Sequence, residues 1–321
     1  MSIFRNTVWF IKGMREYTKN GFVSASKSFN EKDLEVDVTG RSFMITGANS
    51  GIGKCAAIEI AKRGGTIHMV CRDQKRGEEA LNEIKSTSGN SNIKLHQLDM
   101  SLPSEVLKFT KNFEKSGEKL NVLINNAGCM INEQQLTEEG YDKNFATNTL
   151  GTHILTVGLT PVLLNSEDPR VIIVTSGGML VQKLNIQDLQ CFKLKPYDGT
   201  MVYAQNKRQQ VVMAEQYKNR YPTIHFSCMH PGWADTPAVR SAMPDFYEKM
   251  KDRLRTAEQG ADTLIWLAVR SNIHQLPSGE FFQDRQVVNK HLPLAWTKTS
   301  DTDNLELMSV LDKMMQALPK D

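Results

Sequence analysis

Short apolar runs and amphipathic segments alternate along residues 41–285. The apolar runs have the length and composition of buried strands, and they include RSFMIT, TIHMVC, IKLHQLD, LNVLINNAG, RVIIVTS, TIHFSCMHPG and GEFFQD. Segments with helical spacing separate them, among others near 103–115 and 137–163. Strands that alternate with helices pair in parallel through right-handed crossovers. The pattern therefore predicts an α/β fold with a doubly wound, mostly parallel seven-stranded sheet and helices on both faces.

No linker, internal repeat or low-complexity tract interrupts residues 41–285. We therefore expect a single domain over residues 40–285, with a lid at about 237–255. The segments 1–39 and 286–321 extend this domain at its two ends. Within the second extension, NLELMSVLDKMMQAL predicts a short amphipathic helix.

Residues 3–19 wind well as an amphipathic helix at 3.6 residues per turn. One broad side of this helix is apolar and carries Ile3, Phe4, Val8, Phe10, Ile11, Met14 and Tyr17. Another side gathers the basic residues Arg5, Lys12, Arg15 and Lys19, and Trp9 falls off the apolar side. Two interpretations are open: the helix docks on its own domain, or it lies in a membrane or lipid surface.

The composition is that of a globular protein, with 40% hydrophobic and 23% charged residues. A net charge of only +3, without a dominant basic block, argues against a nucleic-acid partner. The five cysteines are scattered, and no His/Cys cluster has metal-ligand spacing. Reduced thiols, and the lack of an apolar run of about 18 residues, favour an intracellular protein that is cytoplasmic or peripheral on a membrane.

The segment TGANSGIGKCA, residues 46–56, follows the first predicted strand and opens a helix. Its glycines and Ala56 match G-x-G-x-x-[GA] in the context that this pattern needs. Glycines let the backbone approach a pyrophosphate, and the helix N-terminus offers unpaired N–H groups to that anion. We predict a dinucleotide site here, as opposed to a bare glycine-rich turn, with contacts from Thr46, Gly47, Ser50, Gly51, Ile52 and Gly53.

The end of the second predicted strand, HMVCRD, bears on which dinucleotide binds. An acidic residue about 20 positions past the glycine loop favours the 2′-hydroxyl of NAD, whereas an arginine favours the 2′-phosphate of NADP. Arg72 occupies that position, and its planar fork suits a phosphate. The neighbouring Asp73 weakens the distinction, and a solvated surface arginine is the alternative. On balance the sequence favours NADP(H) over NAD(H).

The segment YAQNK places Tyr203 four residues before Lys207, and YEKMK repeats this spacing at Tyr247 and Lys251. Residues i and i+4 share a face of a helix, so each lysine is expected beside its tyrosine. A free phenol titrates near ~10, and a neighbouring ammonium lowers that pKa towards the range useful for proton transfer. We favour the first pair because it follows the strand that ends at Ser176, whereas Tyr247 lies in the predicted lid.

Six motifs occur in order at plausible spacings: TGANSGIG, NNAG at 125–128, FATNTLG with Asn148, RVIIVTS ending at Ser176, YAQNK, and PGWADT at 231–236. Together they closely resemble the short-chain dehydrogenase/reductase family, whose fold is the Rossmann type of doubly wound sheet, over about residues 40–285. One departure is the gap of 27 residues between Ser176 and Tyr203, since many members have about half that gap. The extra segment resembles the longer one of retinol-dehydrogenase-like members.

The resemblance implies an NAD(P)-dependent oxidoreductase acting on CH–OH donors, with four catalytic residues. Tyr203 would donate a proton to a carbonyl in reduction, or remove one from an alcohol in oxidation. Ser176 would polarise the carbonyl oxygen, Lys207 would also hold the nicotinamide ribose, and Asn148 would position a water that connects Lys207 to solvent. Further cofactor contacts are implied for Asp99, Asn125, Ala127, Gly128, Pro231, Gly232 and Thr236, with Trp233 where smaller residues are common. Each residue has a structural alternative, such as core packing for Trp233.

Two segments are candidates to line a substrate site with apolar side chains. The lid carries Met243, Phe246, Tyr247, Met250 and Leu254, and the extra segment carries Leu180, Val181, Leu184 and Phe192. Such walls suit a small lipophilic alcohol, aldehyde or ketone. The alternative is that both stripes bury themselves against the domain.

Three functions are compatible with the sequence. The first is an NADP-dependent oxidoreductase that interconverts a lipophilic carbonyl and alcohol by hydride transfer. The second is a dinucleotide-binding sensor or scaffold with little turnover, against which the complete Ser–Tyr–Lys set argues. The third is attachment to a lipid surface through residues 3–19. The resemblance also implies a homodimer, because the helices that flank Asn148 and Tyr203 pair subunits in many relatives.

Overall fold

A sheet of eight strands forms the centre of the protein, in a computed structural model that describes residues 2–319. The strands are β1 (Ser42–Thr46), β2 (Thr66–Cys71), β3 (Ile93–Gln97), β4 (Val122–Asn125), β5 (Arg170–Val174), β6 (His225–Met229), β7 (Glu280–Gln283) and β8 (Gln286–Val287). Their order is β3-β2-β1-β4-β5-β6-β7-β8. All neighbours pair in parallel except β7 and β8. The predicted doubly wound α/β fold is confirmed.

The predicted count of seven strands is one short, because an antiparallel hairpin adds β8. Asp284 and Arg285 both have positive φ, at 51° and 57°, and they turn the chain back from β7. Two central residues of this kind match the twist of the paired strands. A strand of two residues shows no alternating pattern, so the sequence gives no signal for it.

Helices cover both faces of the sheet. In the described residues the α-helices are α1 (Ser2–Glu16), α2 (Lys19–Ser26), α3 (Gly51–Lys62), α4 (Gln74–Ser88), α5 (Pro103–Lys115), α6 (Lys143–Phe145), α7 (Gly151–Leu164), α8 (Gly199–Arg220), α9 (Pro237–Ala242), α10 (Pro244–Met250), α11 (Ala257–Val269) and α12 (Asp301–Gln316). Alternate side chains of β1 enter two cores. Met44 is buried with residues of α5, α7, α8 and α12, whereas Phe43 and Ile45 are buried with residues of α3, α4 and α11.

The helix predicted near 137–163 begins later than the periodicity indicates. Residues 136 and 142 instead pair in an isolated bridge, and the Asp142 side chain caps α6 by accepting from Phe145 N at 3.1 Å. Between α6 and α7, residues 146–150 form a π-helical turn. Such turns insert an extra residue into a helix and are frequent at functional sites. This one carries Asn148.

The N-terminal extension folds as two helices, α1 and α2, and its buried side differs from the predicted one. Tyr17 is fully buried against the domain, and Trp9 packs towards it. Ile3 and Ile11 are 80% and 63% exposed, although both belong to the predicted apolar side. The predicted apolar side is therefore divided. Tyr17 packs on the domain, whereas Ile3 and Ile11 belong to an exposed apolar stripe of α1.

The C-terminal extension also packs on the domain, because Leu307 and Leu311 of α12 are fully buried. The predicted division of the chain at residues 40 and 285 stays a prediction. Residue 1 and residues 320–321 of the two predicted extensions lie outside the described residues. Within residues 2–319, no helix combines the length and the apolar character needed to cross a membrane.

Candidate active site

The glycine loop lies where the strand order reverses, between β1 and β4. In doubly wound sheets this switch point opens a crevice at the carboxyl ends of the strands. The Thr46 hydroxyl accepts hydrogen bonds from the backbone N–H groups of Asn126 and Ala127, at 3.0 and 2.9 Å. The Asn126 amide in turn donates to Thr46 O at 2.8 Å. These bonds fix the segment after β1 against the segment after β4.

Glycines are required in this loop by close approach and by backbone conformation. Gly47 and Gly51 have φ of +67° and +52°, which side chains rarely adopt. A Cβ atom on Gly53 would lie 2.5 Å from both Asn126 Nδ2 and Gly47 O. Ser50 precedes α3 without capping it by its side chain, and Ile52 is half-buried in its first turn. The first N–H groups of α3 are therefore available to an anion.

Asn126, which was not among the predicted site residues, serves the glycine loop in place of its predicted neighbour Asn125. Asn125 is buried, and its amide donates to Thr156 Oγ1 of α7 at 3.0 Å. Successive residues of a strand point to opposite faces, so only one of two adjacent asparagines can serve the loop. The doublet in NNAG was the signal, but the register of β4 decides which residue faces the crevice.

Arg72 and Asp99 lie at the carboxyl ends of β2 and β3. Arg72 Nε is 3.9 Å from Asp99 Oδ2, and the Arg72 side chain is 77% exposed. Asp99 accepts from Ser101 N at 2.9 Å. Asp73, which weakened the cofactor assignment, caps α4 by accepting from Arg76 N at 2.8 Å. The acidic neighbour is thus engaged in a helix cap, whereas the arginine is accessible.

Tyr203 and Lys207 lie one turn apart on α8, and the lysine lies against the phenol ring. Lys207 Nζ is 5.2 Å from the centroid of the Tyr203 ring and donates to Val174 O, at the end of β5, at 2.9 Å. Lys207 is only 2% exposed, whereas Tyr203 is half-buried. Ser176, two residues past β5, makes a side-chain hydrogen bond with Tyr203. The structure therefore brings the three predicted residues together.

Asn148 reaches the same place from the π-helical turn. Its side chain accepts from Cys129 N at 2.9 Å and donates to Cys129 O at 2.8 Å. A Cβ atom on Gly128 would lie 3.1 Å from Asn148 Oδ1 and 3.4 Å from Lys207 Nζ. The Asn148 and Lys207 side chains therefore both lie next to Gly128, where the missing side chain leaves room for them.

The pKa of Tyr203 moves in the direction opposite to the predicted one. Burial raises the pKa of Tyr203 to about 12, against a smaller lowering by the hydrogen bond from Ser176. Burial also lowers the pKa of Lys207 to about 8. The predicted lowering of the phenol pKa is wrong for the protein chain, because loss of water around the phenolate is the largest influence on that pKa.

The turn after β6 faces the glycine loop. A Cβ atom on Gly51 would lie 3.2 Å from Thr236 Cγ2, and the Thr236 hydroxyl caps α9 by accepting from Val239 N at 3.3 Å. Gly232 has φ of +77°, and Pro231 O accepts from the buried Arg255 at 3.4 Å. Trp233 is 8% exposed and packs on aromatic residues, which is the core-packing alternative for this residue.

The two apolar segments have different surroundings: residues of the extra segment pack in the main core, and lid residues form a separate cluster. Leu180 and Leu184 are buried in the core beside α8, which is the alternative of burial against the domain for these two residues. Val181 packs against the same core, and Phe192 is 39% exposed. The lid residues instead form a separate cluster with Tyr17 and Trp233, which comprises Met250, Leu254, Met14, Trp9, Phe246 and Tyr247. At the second Y-x-x-x-K, Lys251 pairs with Glu248 at 2.7 Å.

Known proteins resemble the chain over most of its length. A family model described as short chain dehydrogenase matches residues 41–187. The chain is 59% identical to dehydrogenase/reductase SDR family member 12 of Homo sapiens, over 98% of this chain and 99% of that protein. It is 32% identical to retinol dehydrogenase 12 of Homo sapiens, over 78% of this chain and 79% of that protein.

Solved structures share the fold. An uncharacterised protein from Mycobacterium paratuberculosis matches with a TM-score of 0.69 and 24% identity, over 90% of this chain and 98% of that one. A short chain dehydrogenase from Escherichia coli CFT073, complexed with NADPH, matches with a TM-score of 0.63 and 20% identity, over 80% of this chain and 100% of that one. These relatives and the geometry of the site show that the chain belongs to the short-chain dehydrogenase/reductase family. It is an NAD(P)-dependent oxidoreductase acting on CH–OH groups.

Proposed function

We propose that this protein uses NADP(H) to interconvert a lipophilic carbonyl compound and its alcohol, with Tyr203, Lys207, Ser176 and Asn148 as the catalytic set. The observation that carries the proposal is the position of Lys207. Its ammonium lies against the Tyr203 ring, and Gly128 lies next to both this ammonium and the Asn148 side chain. A sensor or scaffold without turnover has no need of a buried cation next to a phenol.

The residues around the crevice fit a dinucleotide. The glycine loop and the first turn of α3 suit a pyrophosphate, because glycines let the backbone approach it and the helix N-terminus favours an anion. Arg72 is the residue for a 2′-phosphate, and Asp99 beside it is the acceptor for an adenine amino group. Lys207 is the residue for the nicotinamide ribose. When bound, the cofactor supplies the hydride for reduction or accepts it in oxidation.

Proton transfer falls to Tyr203. A phenol whose pKa is raised to about 12 is protonated at neutral pH, so it is ready to donate to a carbonyl oxygen. Ser176 stabilises the charge that develops on that oxygen by a hydrogen bond. In alcohol oxidation Tyr203 must first lose its proton, and the adjacent Lys207 cation stabilises the phenolate. Asn148 holds the backbone at Cys129, where a water beside Lys207 links the site to solvent.

A lipophilic substrate is supported by the apolar lid next to the turn at 231–236. Phe246 and Tyr247 are half-buried in the cluster with Trp233 of this turn, whereas Met250 and Leu254 are buried in it. Relatives named retinol dehydrogenases carry a lipophilic substrate in their names. The homodimer stays a prediction.

A lipid surface is the proposed source of such a substrate. The stripe Ile3, Phe4, Phe10 and Ile11 is 80%, 44%, 47% and 63% exposed, and Arg15 and Lys19 are exposed beside it. An apolar stripe flanked by basic residues suits the boundary between acyl chains and anionic headgroups. This stripe leaves the aromatic side of α1 free to pack on the domain.

Tyr203→Phe tests the catalytic assignment. The variant keeps the ring but removes the transferable proton, so carbonyl-dependent NADPH oxidation is expected to fall about 10²- to 10⁴-fold. NADPH binding, followed by fluorescence titration, is expected to change little. Tyr221→Phe, at the C-terminal end of α8 where the ring packs on Tyr217 and Phe226, is the matched control and is expected to keep its activity. Equal rates for Tyr203→Phe and the unaltered protein would exclude Tyr203 as the proton donor.

Arg72→Ala tests the cofactor assignment. Loss of a charge-assisted hydrogen bond, worth about 1.5–3 kcal/mol, is expected to weaken NADPH binding about 10- to 100-fold. NADH binding is expected to stay within about threefold, because NADH lacks the 2′-phosphate. Arg76→Ala, at an exposed position of α4, is the control. Similar losses for both cofactors in Arg72→Ala would contradict the preference for NADP(H).

Ile11→Asp tests contact with a lipid surface by flotation with phosphatidylcholine vesicles, with and without phosphatidylserine. Burial of an aliphatic side chain is worth about 1.5–3 kcal/mol, so vesicle binding is expected to drop at least about tenfold. Leu305→Asp on α12 is the control, because Leu305 is 62% exposed and Ile11 is 63% exposed. If the unaltered protein does not float, or if both variants lose binding equally, the stripe on α1 is not the contact.

A further inference from the structure

The aromatic side of α1 packs on the turn that follows β6. The ring centroids of Tyr17 and Trp233 are 5.7 Å apart and nearly perpendicular, and Trp9 meets Trp233 edge-on at 5.7 Å. A Cβ atom on Gly13 would lie 2.3 Å from Cζ2 of Trp233. The helix therefore approaches the turn as closely as a backbone without a side chain allows.

Backbone hydrogen bonds hold the turn between α1 and the segment before α11. Trp233 N donates to Tyr17 O, Arg255 N donates to Trp233 O, and Asp235 N donates to Arg255 O, each at 2.8 Å. The pattern resembles a short ladder of three segments of the chain, with the turn in the middle. The conformation of the turn thus depends on the N-terminal extension as well as on its own sequence.

Arg255 closes this ladder with its side chain. It is 1% exposed and forms a two-pronged ion pair with Asp284, at 2.6 and 2.9 Å. Its other contacts are to backbone oxygens: Glu16 O at 2.6 Å, Thr18 O at 3.4 Å and Pro231 O at 3.4 Å. A buried guanidinium is tolerated only when its donors are matched in this way. One side chain therefore joins the end of α1, the turn and the end of β7.

The same contact reaches the segment after β5 that contains Ser176. Tyr17 packs edge-on against His230 at 4.4 Å between ring centroids, and His230 Nδ1 accepts from Gly177 N at 2.9 Å. A Cβ atom on Gly177 would lie 3.0 Å from the Tyr17 ring. The tyrosine is thus next to the residue that follows Ser176 and next to the turn at 231–236.

We propose that the N-terminal extension is a working part of the active site, in which Tyr17 and Arg255 are positioning residues that hold the turn at 231–236 over the nicotinamide half of the cofactor. This inference rests on the proposed function, because it takes the turn to lie over the nicotinamide, as the family resemblance implies for Pro231, Gly232 and Thr236. Coupling between two sites is reciprocal. If docking of α1 sets the turn for the cofactor, the bound cofactor tightens the docking of α1.

Hydrogen exchange of residues 2–26 tests this coupling without any need for turnover. NADPH is expected to slow exchange in α1 at least about fivefold, which is the lower end of measured coupling between sites. Adenosine 2′,5′-bisphosphate has the adenine half and the 2′-phosphate but no nicotinamide, and it is expected to leave α1 unchanged. Equal protection by both ligands, or none by bound NADPH, would overturn the proposal.

Gly13→Ala distinguishes a docked α1 from an undocked one, because the two predict opposite changes in the rate of hydrogen exchange in α1. Alanine stabilises a helix relative to glycine, so an undocked α1 would exchange more slowly in this variant. A docked α1 is expected to exchange faster and to lose the response to NADPH, because the new Cβ strikes Trp233. Asn6→Ala on the exposed side of α1 is the control.

Arg255→Met adds a kinetic readout. If the residue positions the turn, kcat for carbonyl reduction falls by more than the affinity for NADPH, and the NADPH-dependent protection of α1 is lost. If Arg255 serves stability alone, a folded Arg255→Met variant keeps its kcat and the NADPH-dependent protection of α1. Should the unaltered protein reduce no carbonyl while NADPH still protects α1, the proposed reaction fails but the coupling between α1 and the bound cofactor stands. If the protein reduces a carbonyl but NADPH does not protect α1, the proposed function stands and this inference fails.

Discussion

A lysine ammonium buried against a phenol ring is the interaction on which the rest of the site depends. Removing an ammonium from water is costly unless acceptors surround it. Lys207 has the carbonyl of Val174 as a hydrogen-bond acceptor and the ring of Tyr203 as a π face. The cost that remains is visible in its pKa, which burial lowers to about 8. A Cβ atom on Gly128 would lie 3.4 Å from this ammonium and 3.1 Å from Asn148 Oδ1, so a side chain there would crowd the site.

The site is assembled from segments far apart in the chain by the topology of the sheet. The glycine loop after β1 and the NNAG segment after β4 meet because these strands are neighbours at the switch point. The carboxyl end of β5 brings Val174 to α8, and the turn after β6 closes the crevice over the glycine loop. A second buried cation, Arg255, joins that turn to the N-terminal helix. Both cations are held mainly by backbone oxygens, so each fixes main chain and not only side chains.

Features with a local signal could be predicted from the sequence. The parallel strands, the glycine loop and the pair on α8 follow from periodicity and from spacing along one element. Features that depend on contacts between distant segments could not. The faces of Asn125 and Asn126 depend on the register of β4, and the role of Trp9 depends on an unforeseen partner, Trp233. The pKa of Tyr203 depends on how much water the fold removes, which no motif encodes.

The central claim is that the Lys207 cation both stabilises the Tyr203 phenolate and holds the nicotinamide ribose of the cofactor. Lys207→Met keeps the length and the apolar stem of the side chain and removes the charge. The most direct measurement is the rate of NADPH oxidation in a single turnover, with a lipophilic ketone that the unaltered protein reduces. Loss of the positioned charge is expected to slow this step at least about 100-fold in a folded protein. A rate equal to that of the unaltered protein would contradict the account.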